Sequence, residues 1–132
     1  MTLASSAVAV MLPVEDVDRA RKFYEEKLGL KYDGLNMEGS AMFALEGGTT
    51  LLLLPRPGGT RADSTAMSWA VDDVEHEVKD LESRGVAFED YDLPDFTTVD
   101  HIATFGDFKS AWFLDPDGNV LCVHSPEGVE QR

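Results

Sequence analysis

The sequence contains one cysteine, Cys122, among its 132 residues. A single thiol cannot form an internal disulfide, and such scarcity is typical of proteins from a reducing compartment. The longest continuous aliphatic run covers residues 51–54, which is far too short to span a bilayer. No Lys or Arg precedes the apolar start of the chain, so no secretory signal is expected. Together these absences predict a soluble, cytoplasmic protein.

Basic residues are also scarce, especially in the second half. The chain has 11 Lys and Arg against 25 Asp and Glu, a net charge of −14. Residues 1–62 contain 7 basic and 8 acidic side chains, a charge of −1, whereas residues 63–132 contain 4 and 17, a charge of −13. This field repels nucleic acid and anionic membranes and favours cationic partners. A solubilising acidic surface is the simpler alternative.

The first sixty residues predict a strand, a helix and two or three further strands. Residues 7–14 are apolar at both alternate sets of positions, which indicates a strand buried on both faces. Asp16 is an N-cap candidate, and an apolar stripe at helical spacing follows it as far as Gly29. Strands are expected at 30–33, 41–46 and 49–54, with Gly47-Gly48 as the turn of a hairpin.

The same order then repeats. The segment Val14-Glu15-Asp16-Val17 matches Val71-Asp72-Asp73-Val74 at an offset of 57, and Phe43 and Gly48 match Phe113 and Gly118 at an offset of 70. The second copy therefore has 13 extra residues, which we assign to a loop at 92–108. A repeat of this length indicates two β-α-β-β-β modules, residues 1–60 and 61–132, within a single domain. Paired half-sheets of this kind would enclose one cleft.

The last module ends in a hairpin over residues 111–124. Asp117-Gly118 is a strong turn signal, because Gly adopts positive φ without steric cost. If Asp115 pairs with Val120, Phe113 faces Cys122 and Ala111 faces His124. Trp112 and Val123 then lie on the other face, under the helices.

These motifs resemble the vicinal oxygen chelate superfamily, which includes glyoxalase I, extradiol dioxygenases, fosfomycin-resistance enzymes and bleomycin-resistance proteins. The resemblance rests on the duplicated module, on Phe23-Tyr24 before Leu28-Gly29-Leu30, and on Asp115-Pro116-Asp117-Gly118-Asn119. It implies an α+β fold, with two tandem modules forming a curved mixed sheet around a cleft and helices on the outer face. It does not imply one activity, since one fold hosts many.

Enzymes of this superfamily hold a divalent metal at four symmetric strand positions. By the resemblance these positions are Ala9, Leu52, Ala66 and Cys122. One thiol among aliphatic residues cannot supply the three or four ligands that such a cation needs. We therefore expect no metal and no other cofactor.

The alternation of side chains along the strands predicts the lining of the cleft. An apolar cavity edged by a few polar groups is the usual composition of a small-molecule site. The candidate ligand-binding residues are Met11, Phe43, Leu52, Leu54, Ser68, Phe113, Cys122 and His124, with His101 at the rim. Acidic rim groups are expected at Asp95, Asp100 and Asp107.

Catalytic side chains are harder to find. Cys122 and His124 share a predicted face, but i and i+2 side chains on a strand stand about 7 Å apart, too far for a direct hydrogen bond. His76 lies on the acidic second helix as a surface group, and His101 is either a plain loop residue or an acid/base group at the rim. No Ser-His-Asp pattern, phosphate loop or zinc spacing is present.

Three functions remain open. The first is a metal-free protein that binds a cationic aromatic small molecule, with sequestration as its role, as bleomycin-resistance proteins do in antibiotic resistance. The second is a glyoxalase- or dioxygenase-like enzyme, a lyase or dioxygenase with non-standard ligands such as His101 and His124. The third is an acidic interaction module. A homodimer is expected, because a first strand that is apolar on both faces is normally covered.

Overall fold

The structure, a computed structural model, describes residues 3–58, 64–94 and 96–126. The chain divides into two compact units, Met1–Arg61 and Ala62–Arg132. The helices and strands, in chain order, are β1 (Ala9–Val14), α1 (Val17–Lys22), β2 (Lys31–Leu35), β3 (Ala41–Ala44), β4 (Thr50–Pro55), β5 (Thr65–Ala70), α2 (Val74–Ser83), β6 (Phe88–Glu89), β7 (Asp92–Leu93), β8 (Phe96–Val99), β9 (Ile102–Phe105), β10 (Phe108–Leu114) and β11 (Val120–His124). The predicted α+β fold, with curved mixed sheets and helices outside them, is confirmed.

The first unit is a four-stranded sheet with one helix. Its strand order is β1-β4-β3-β2, and β1 runs parallel to β4. Asp16 caps α1 by accepting a hydrogen bond from the backbone N–H of Arg19, as its position before the apolar stripe predicts. The helix then widens into a π-helical turn over Phe23–Lys27, which carries the fully buried Tyr24.

The second unit has a longer sheet. Its order is β5-β11-β10-β9-β8-β7, with β6 also paired to β10, and β5 runs parallel to β11. Asp73 caps α2 by accepting from the N–H of His76, the counterpart of the Asp16 cap. Val74, Val78 and Leu81 form the buried stripe of α2. Within the described ranges, neither helix is long and apolar enough to cross a membrane.

The backbone pairing repeats between the units at the predicted offsets. Met11 pairs with Leu52 in the first sheet, and Ser68 pairs with Cys122 in the second. The second pair lies 57 and 70 residues further along the chain. The two modules therefore share one strand register as well as one order of elements.

The segment 92–108 is not a loop, and that prediction is wrong. It contains β7, β8 and β9, and a tight turn at Asp100 and His101 joins β8 to β9. Thr98 pairs with Ala103 across this hairpin, and Ser110 pairs with Ala103 on the next strand. The extra residues thus extend the sheet of the second unit, because β9 pairs with β10 and β8 pairs with β9. Asp95 lies outside the described residues.

Each sheet has one face under its helix and one turned away from it, which we call the helix face and the distal face. On the second sheet, the helix face carries Phe113, Leu121 and Val123, which are almost completely buried. Its distal face carries Ser68, Ser110, Trp112, Cys122 and His124. Since side chains alternate along a strand, each residue of β10 belongs to one face only.

Candidate functional site

A strip of polar side chains lies on the distal face of the second sheet. Ser68 on β5 is the direct partner of Cys122 on β11, and His124 follows two residues later on the same face. The Ser68 Oγ lies 2.5 Å from the Nδ1 of His124, a hydrogen bond. Ser110, which is buried, pairs with His124 from the other side. The three predicted residues Ser68, Cys122 and His124 are therefore brought together.

Cys122 is the buried member of this strip. Its side chain is 5% exposed, and burial raises the pKa of its thiol, although hydrogen bonds to Ser68 and Ser110 act in the opposite direction. The thiolate is the nucleophilic form of cysteine. A buried, neutral thiol is a poor nucleophile and is better suited to contact a ligand, and Ser68 hydrogen-bonds to both Cys122 and His124.

Four aromatic side chains cluster beside the polar strip. We call the set the aromatic cluster; its members are Tyr91, Phe96, Phe105 and Trp112. Trp112 faces Cys122 across the β10–β11 pair, which places the cluster on the distal face. All four side chains are partly exposed, and Phe105 is 49% exposed.

The rings of the aromatic cluster contact one another in a continuous row. Phe96 stacks on Tyr91 at 5.2 Å and on Phe105 at 6.0 Å between centroids. Trp112 meets Phe96 edge-on at 5.1 Å and Tyr91 edge-on at 5.7 Å. The indole N–H of Trp112 donates to Thr65 Oγ1 at 3.1 Å, which fixes the ring plane. The cluster is a preformed apolar wall.

A carboxylate adjoins this wall. Glu89 on β6 pairs directly with Trp112. Burial raises the pKa of Tyr91, and the negative charge of Glu89 adds to that rise. The distal face therefore combines aromatic rings with a nearby negative charge.

The predicted hairpin register is wrong by one residue. Leu114, not Asp115, pairs with Val120, so Phe113 faces Leu121 and Trp112 faces Cys122. The reason is the loop: Asp115 N donates to Asn119 O at 3.1 Å, which leaves only three residues in the turn. Because strand side chains alternate, this one-residue shift moves every side chain of β10 to the opposite face.

Phe113 is consequently a core residue. Its ring is fully buried and packs on Phe88 at 5.3 Å and on Trp69 at 6.4 Å. Phe43, its counterpart in the first unit, is likewise fully buried and lies 6.1 Å from the ring of Tyr24 on the helix side. The predicted placement of both phenylalanines on the ligand face is therefore wrong, and the prediction that Trp112 packs under the helices fails with it.

The first sheet carries the remaining apolar candidates on its distal face. Met11 pairs with Leu52, and Leu54 follows on the same side of β4. Met42 joins them from β3, as the partner of Leu52. Met11 is 53% exposed. Met42 therefore takes the position beside Leu52 that was predicted for Phe43.

His101 lies on the helix side of the second sheet. Its ring bonds to Glu82 of α2 and stacks on the helix-face residue Phe88 at 6.0 Å. It does not join Ser68, Cys122 and His124. A pocket of about 430 Å³ beside α2 is lined by Glu75, Val78, Lys79, Glu82, Asp100, His101 and Ile102. Asp100 therefore borders this pocket, whereas Asp107 lies in the turn between β9 and β10.

The four positions implied for a metal do not fit one. Their residues are Ala9, Leu52, Ala66 and Cys122, and only the thiol of Cys122 can donate to a metal. Among the described residues, no group of three or more His, Cys, Asp or Glu side chains could hold an ion. No chemistry can be assigned to a metal on these side chains.

Sequence reasoning missed Trp112, Tyr91, Phe96, Phe105 and Glu89. The missing signal for Trp112 was the length of the turn, since a three-residue loop ending in glycine is a common hairpin type. The run of β-branched residues Thr97-Thr98-Val99 after Phe96 could have indicated β8. Nothing local to the sequence predicts that β6 pairs with β10 and brings Glu89 to Trp112.

Solved structures support the fold. The antibiotic-binding protein TnmS3 from Streptomyces sp. CB03234 is 27% identical, with 96% of this chain and 100% of that chain covered and a TM-score of 0.66. A glyoxalase/bleomycin resistance protein from Catenulispora acidiphila is 23% identical, with 93% and 100% covered and a TM-score of 0.68. Lactoylglutathione lyase from Agrobacterium tumefaciens is 22% identical, with 92% and 93% covered and a TM-score of 0.62.

No curated protein matches the chain. A family model does, and its match covers residues 6–123. This range includes most of both modules and all but the last residue of the hairpin in the second. The chain therefore belongs to the Glyoxalase/Bleomycin resistance protein/Dioxygenase superfamily.

Proposed function

We propose that this protein binds a flat, cationic aromatic small molecule on the distal face of its second sheet and sequesters it without chemical conversion. The observation that carries the proposal is the aromatic cluster, a row of partly exposed rings already packed in place. Aromatic side chains contribute large apolar areas and prefer stacked or edge-to-face contacts with other rings. A planar ligand extends such a row without rearranging it.

The polar neighbours of the cluster favour a positive charge on the ligand. Glu89 adjoins Trp112 and Tyr91, and a cation over an aromatic face gains about 0.5–2 kcal/mol, with the larger values in desolvated sites. The half of the chain that contains the cluster carries a net charge of −13, from 4 basic and 17 acidic residues. This field raises the local concentration of cations around the face.

The polar strip supplies hydrogen bonds to the edge of the ligand. Ser68 and His124, which are hydrogen-bonded to each other, are the polar groups proposed to contact it, and the buried thiol of Cys122 lies beside them. Met11, Leu52 and Leu54, on the distal face of the first sheet, stay predictions from the sequence. Phe43 and Phe113 leave the set, because both are fully buried on helix faces.

The proposal includes no metal and no catalytic group. This is supported by the four positions implied for a metal, where one thiol stands among aliphatic side chains and no other group can bind an ion. The structural relative TnmS3 is an antibiotic-binding protein, and that description supports a binding role of the same general kind here. His101 and His124 do not form an acid/base pair, since they lie on different sides of the second sheet.

A titration with three matched tricyclic compounds tests this function. N-methylacridinium is a permanent cation, acridine is neutral at pH 7.5, and acridine-9-carboxylate is an anion. We expect the cation to bind at least about tenfold more tightly than the anion at low salt, a difference of about 1.4 kcal/mol. The difference should shrink as the Debye length falls to about 8 Å at physiological ionic strength. Calorimetry and quenching of Trp fluorescence measure both.

Variants locate the site. Phe105→Leu and Glu89→Gln should each weaken binding of the cation severalfold, whereas Val99→Ala, at an exposed position of the neighbouring strand, should leave it unchanged. Equal or tighter binding of the anion at low salt contradicts the charge argument. Unchanged affinity in Phe105→Leu and Phe96→Leu together contradicts the placement of the site.

A further inference from the structure

His101 occupies an unusual backbone conformation at the turn between β8 and β9. Its φ is 73°, and that of the preceding residue, Asp100, is 53°. Val99 pairs with Ile102, and a two-residue hairpin turn of this kind requires positive φ at both central positions, which Asp and His adopt more readily than most residues. The turn therefore fixes the backbone of His101, from which its ring extends.

Both ring nitrogens of His101 bond to carboxylates. Nδ1 lies 2.9 Å from Asp90 Oδ1, and Nε2 lies 3.0 Å from Glu82 Oε2. Phe88 stacks on the ring at 6.0 Å and fixes its plane. A carboxylate can only accept, so both nitrogens must carry hydrogen, which is the imidazolium form. The hydrogen bond to Asp90 is the main reason why the pKa of His101 is raised, with the charges of Asp90 and Glu82 adding to it.

The Asp90 carboxylate also connects His101 to the aromatic cluster through a second set of hydrogen bonds. Asp90 Oδ1 lies 3.2 Å from the hydroxyl of Thr98, and that hydroxyl accepts a hydrogen bond from Tyr91 N at 2.9 Å. Thr98 N in turn donates to Tyr91 O at 2.9 Å. An unbroken row of hydrogen bonds thus joins Glu82 on α2 to the backbone of Tyr91, through His101, Asp90 and Thr98.

We propose that His101 is a positioning residue for the ligand surface: by tying Asp90 to α2, it holds the segment that presents Tyr91 to Phe96 and Trp112. The proposal rests on the proposed function for its effect on binding, although its effect on Tyr91 does not depend on any ligand. His101 itself does not contact the distal face.

Several charged groups face the imidazole and its pocket from the elements packed around it. They are Glu75, Lys79 and Glu82 from α2, Asp90 from the segment after β6, and Asp100 from its own turn. The acidic groups outnumber Lys79, and Glu75 is also ion-paired with Lys109. The surroundings as a whole favour the charged imidazole.

The pH dependence follows from the direction of the shift. A group whose pKa is raised on folding stabilises the folded arrangement fully below its ordinary value, here 6.5, and that contribution is lost as pH rises through the raised value. At low pH both carboxylates are bound and Tyr91 is held. At high pH the neutral ring keeps one hydrogen, so one of the two bonds is lost.

The first experiment needs no ligand. NMR follows the His101 ring and the Tyr91 ring from pH 5.5 to 8.5 in the full chain, in the wild type, His101→Gln and the matched control His76→Gln. We expect the Tyr91 signals to shift with the His101 titration in the wild type and in His76→Gln, and to lose that step in His101→Gln. If the chemical shifts of the Tyr91 ring stay constant while His101 titrates, the proposal is overturned.

The second experiment measures binding of N-methylacridinium, whose charge does not change over this pH range. Affinity should fall at least threefold between pH 6 and 8.5 in the wild type and in His76→Gln. In His101→Gln it should be low and independent of pH. His101→Arg, which keeps a charge and paired donors, should restore affinity at pH 8.5.

The outcomes separate the two proposals. If N-methylacridinium fails to bind at any pH, the proposed function fails and the Tyr91 titration still decides the role of His101. If the probe binds but a pH dependence of equal size persists in His101→Gln, a group other than His101 is responsible. The role of His101 is then rejected while the binding function stands.

Discussion

At the scale of single residues, the two faces of the second sheet give neighbouring aromatic side chains opposite roles. Phe113 is fully buried between Phe88 and Trp69, whereas Phe105 is half exposed at the end of the aromatic cluster. Truncating a buried phenylalanine removes apolar contacts and leaves a cavity, which typically costs about 3–5 kcal/mol. Truncating an exposed ring removes far less buried area.

We therefore expect Phe113→Ala to lower the free energy of unfolding by about 3–5 kcal/mol and Phe105→Ala to lower it by less than about 1 kcal/mol. Urea unfolding followed by far-UV circular dichroism measures both. The binding assay should show the reverse order for the milder pair Phe105→Leu and Phe113→Leu at temperatures where both are folded. Equal destabilisation by the two alanine substitutions would contradict the assigned faces.

At the scale of elements, the turn of the last hairpin decides what the distal face contains. Gly118 has a φ of 86°, and its N–H donates to Asp115 O at 3.0 Å. The Asp115 carboxylate also accepts from the N–H groups of Asp117 and Asn119, at 2.8 and 2.9 Å. These bonds close the loop after three residues and so fix the register of β10 against β11.

A glycine substitution tests this turn. Gly118→Ala should cost about 1–2 kcal/mol, because a side chain disfavours the left-handed conformation, and no atom lies within 4 Å of the added carbon to cause a clash. Gly47→Ala, in the corresponding turn of the first unit, should change stability by less than about 0.5 kcal/mol, since its φ is not in that region. A thermal or urea series compares the two. Equal effects would argue against the turn geometry.

The order of elements outside residues 92–108, the two caps and the repeat were predictable, because Asp16, Asp73 and the apolar stripes are local signals. The register was not, because loops of three and four residues around Asp117-Gly118 are both compatible with the sequence. Because the longer loop was chosen, Phe113 was predicted on the ligand face, where the structure has Trp112. Glu89 and the strands at 92–105 depend on pairing with residues distant in the chain, which no local pattern specifies.

At the scale of the whole molecule, metal content tests the proposed absence of a cofactor. Untagged protein purified without chelator should contain far less than one equivalent of Zn, Ni, Mn or Fe by plasma mass spectrometry. The reason is the donor set at the four implied positions, of which only Cys122 can bind a metal. The control is the Cys122→Ser variant, which should give the same background. One equivalent of metal that EDTA removes with a loss of turnover would contradict the binding role.

The assembly state is a second whole-molecule prediction. Strand β1 is at the edge of its sheet and exposes Met11, and Val8 directly before the strand is also exposed. Exposed apolar edge strands are normally covered. We expect a homodimer, with twice the chain mass of 14.5 kDa by light scattering. Met11→Glu should shift the population to monomer, whereas Met37→Glu, in an exposed turn, should not. A concentration-independent mass near that of one chain would contradict the prediction.

The strict alternation of β10 has an evolutionary consequence. Ala111 and Phe113 are fixed by packing, whereas Ser110 and Trp112, between and beside them, face the other way. Evolution can therefore change what the protein binds through substitutions at the distal-face positions of the strand, while selection for folding acts on the helix-face positions. A library randomised at distal-face positions alone should yield mostly folded variants, from which new binding specificities can be selected.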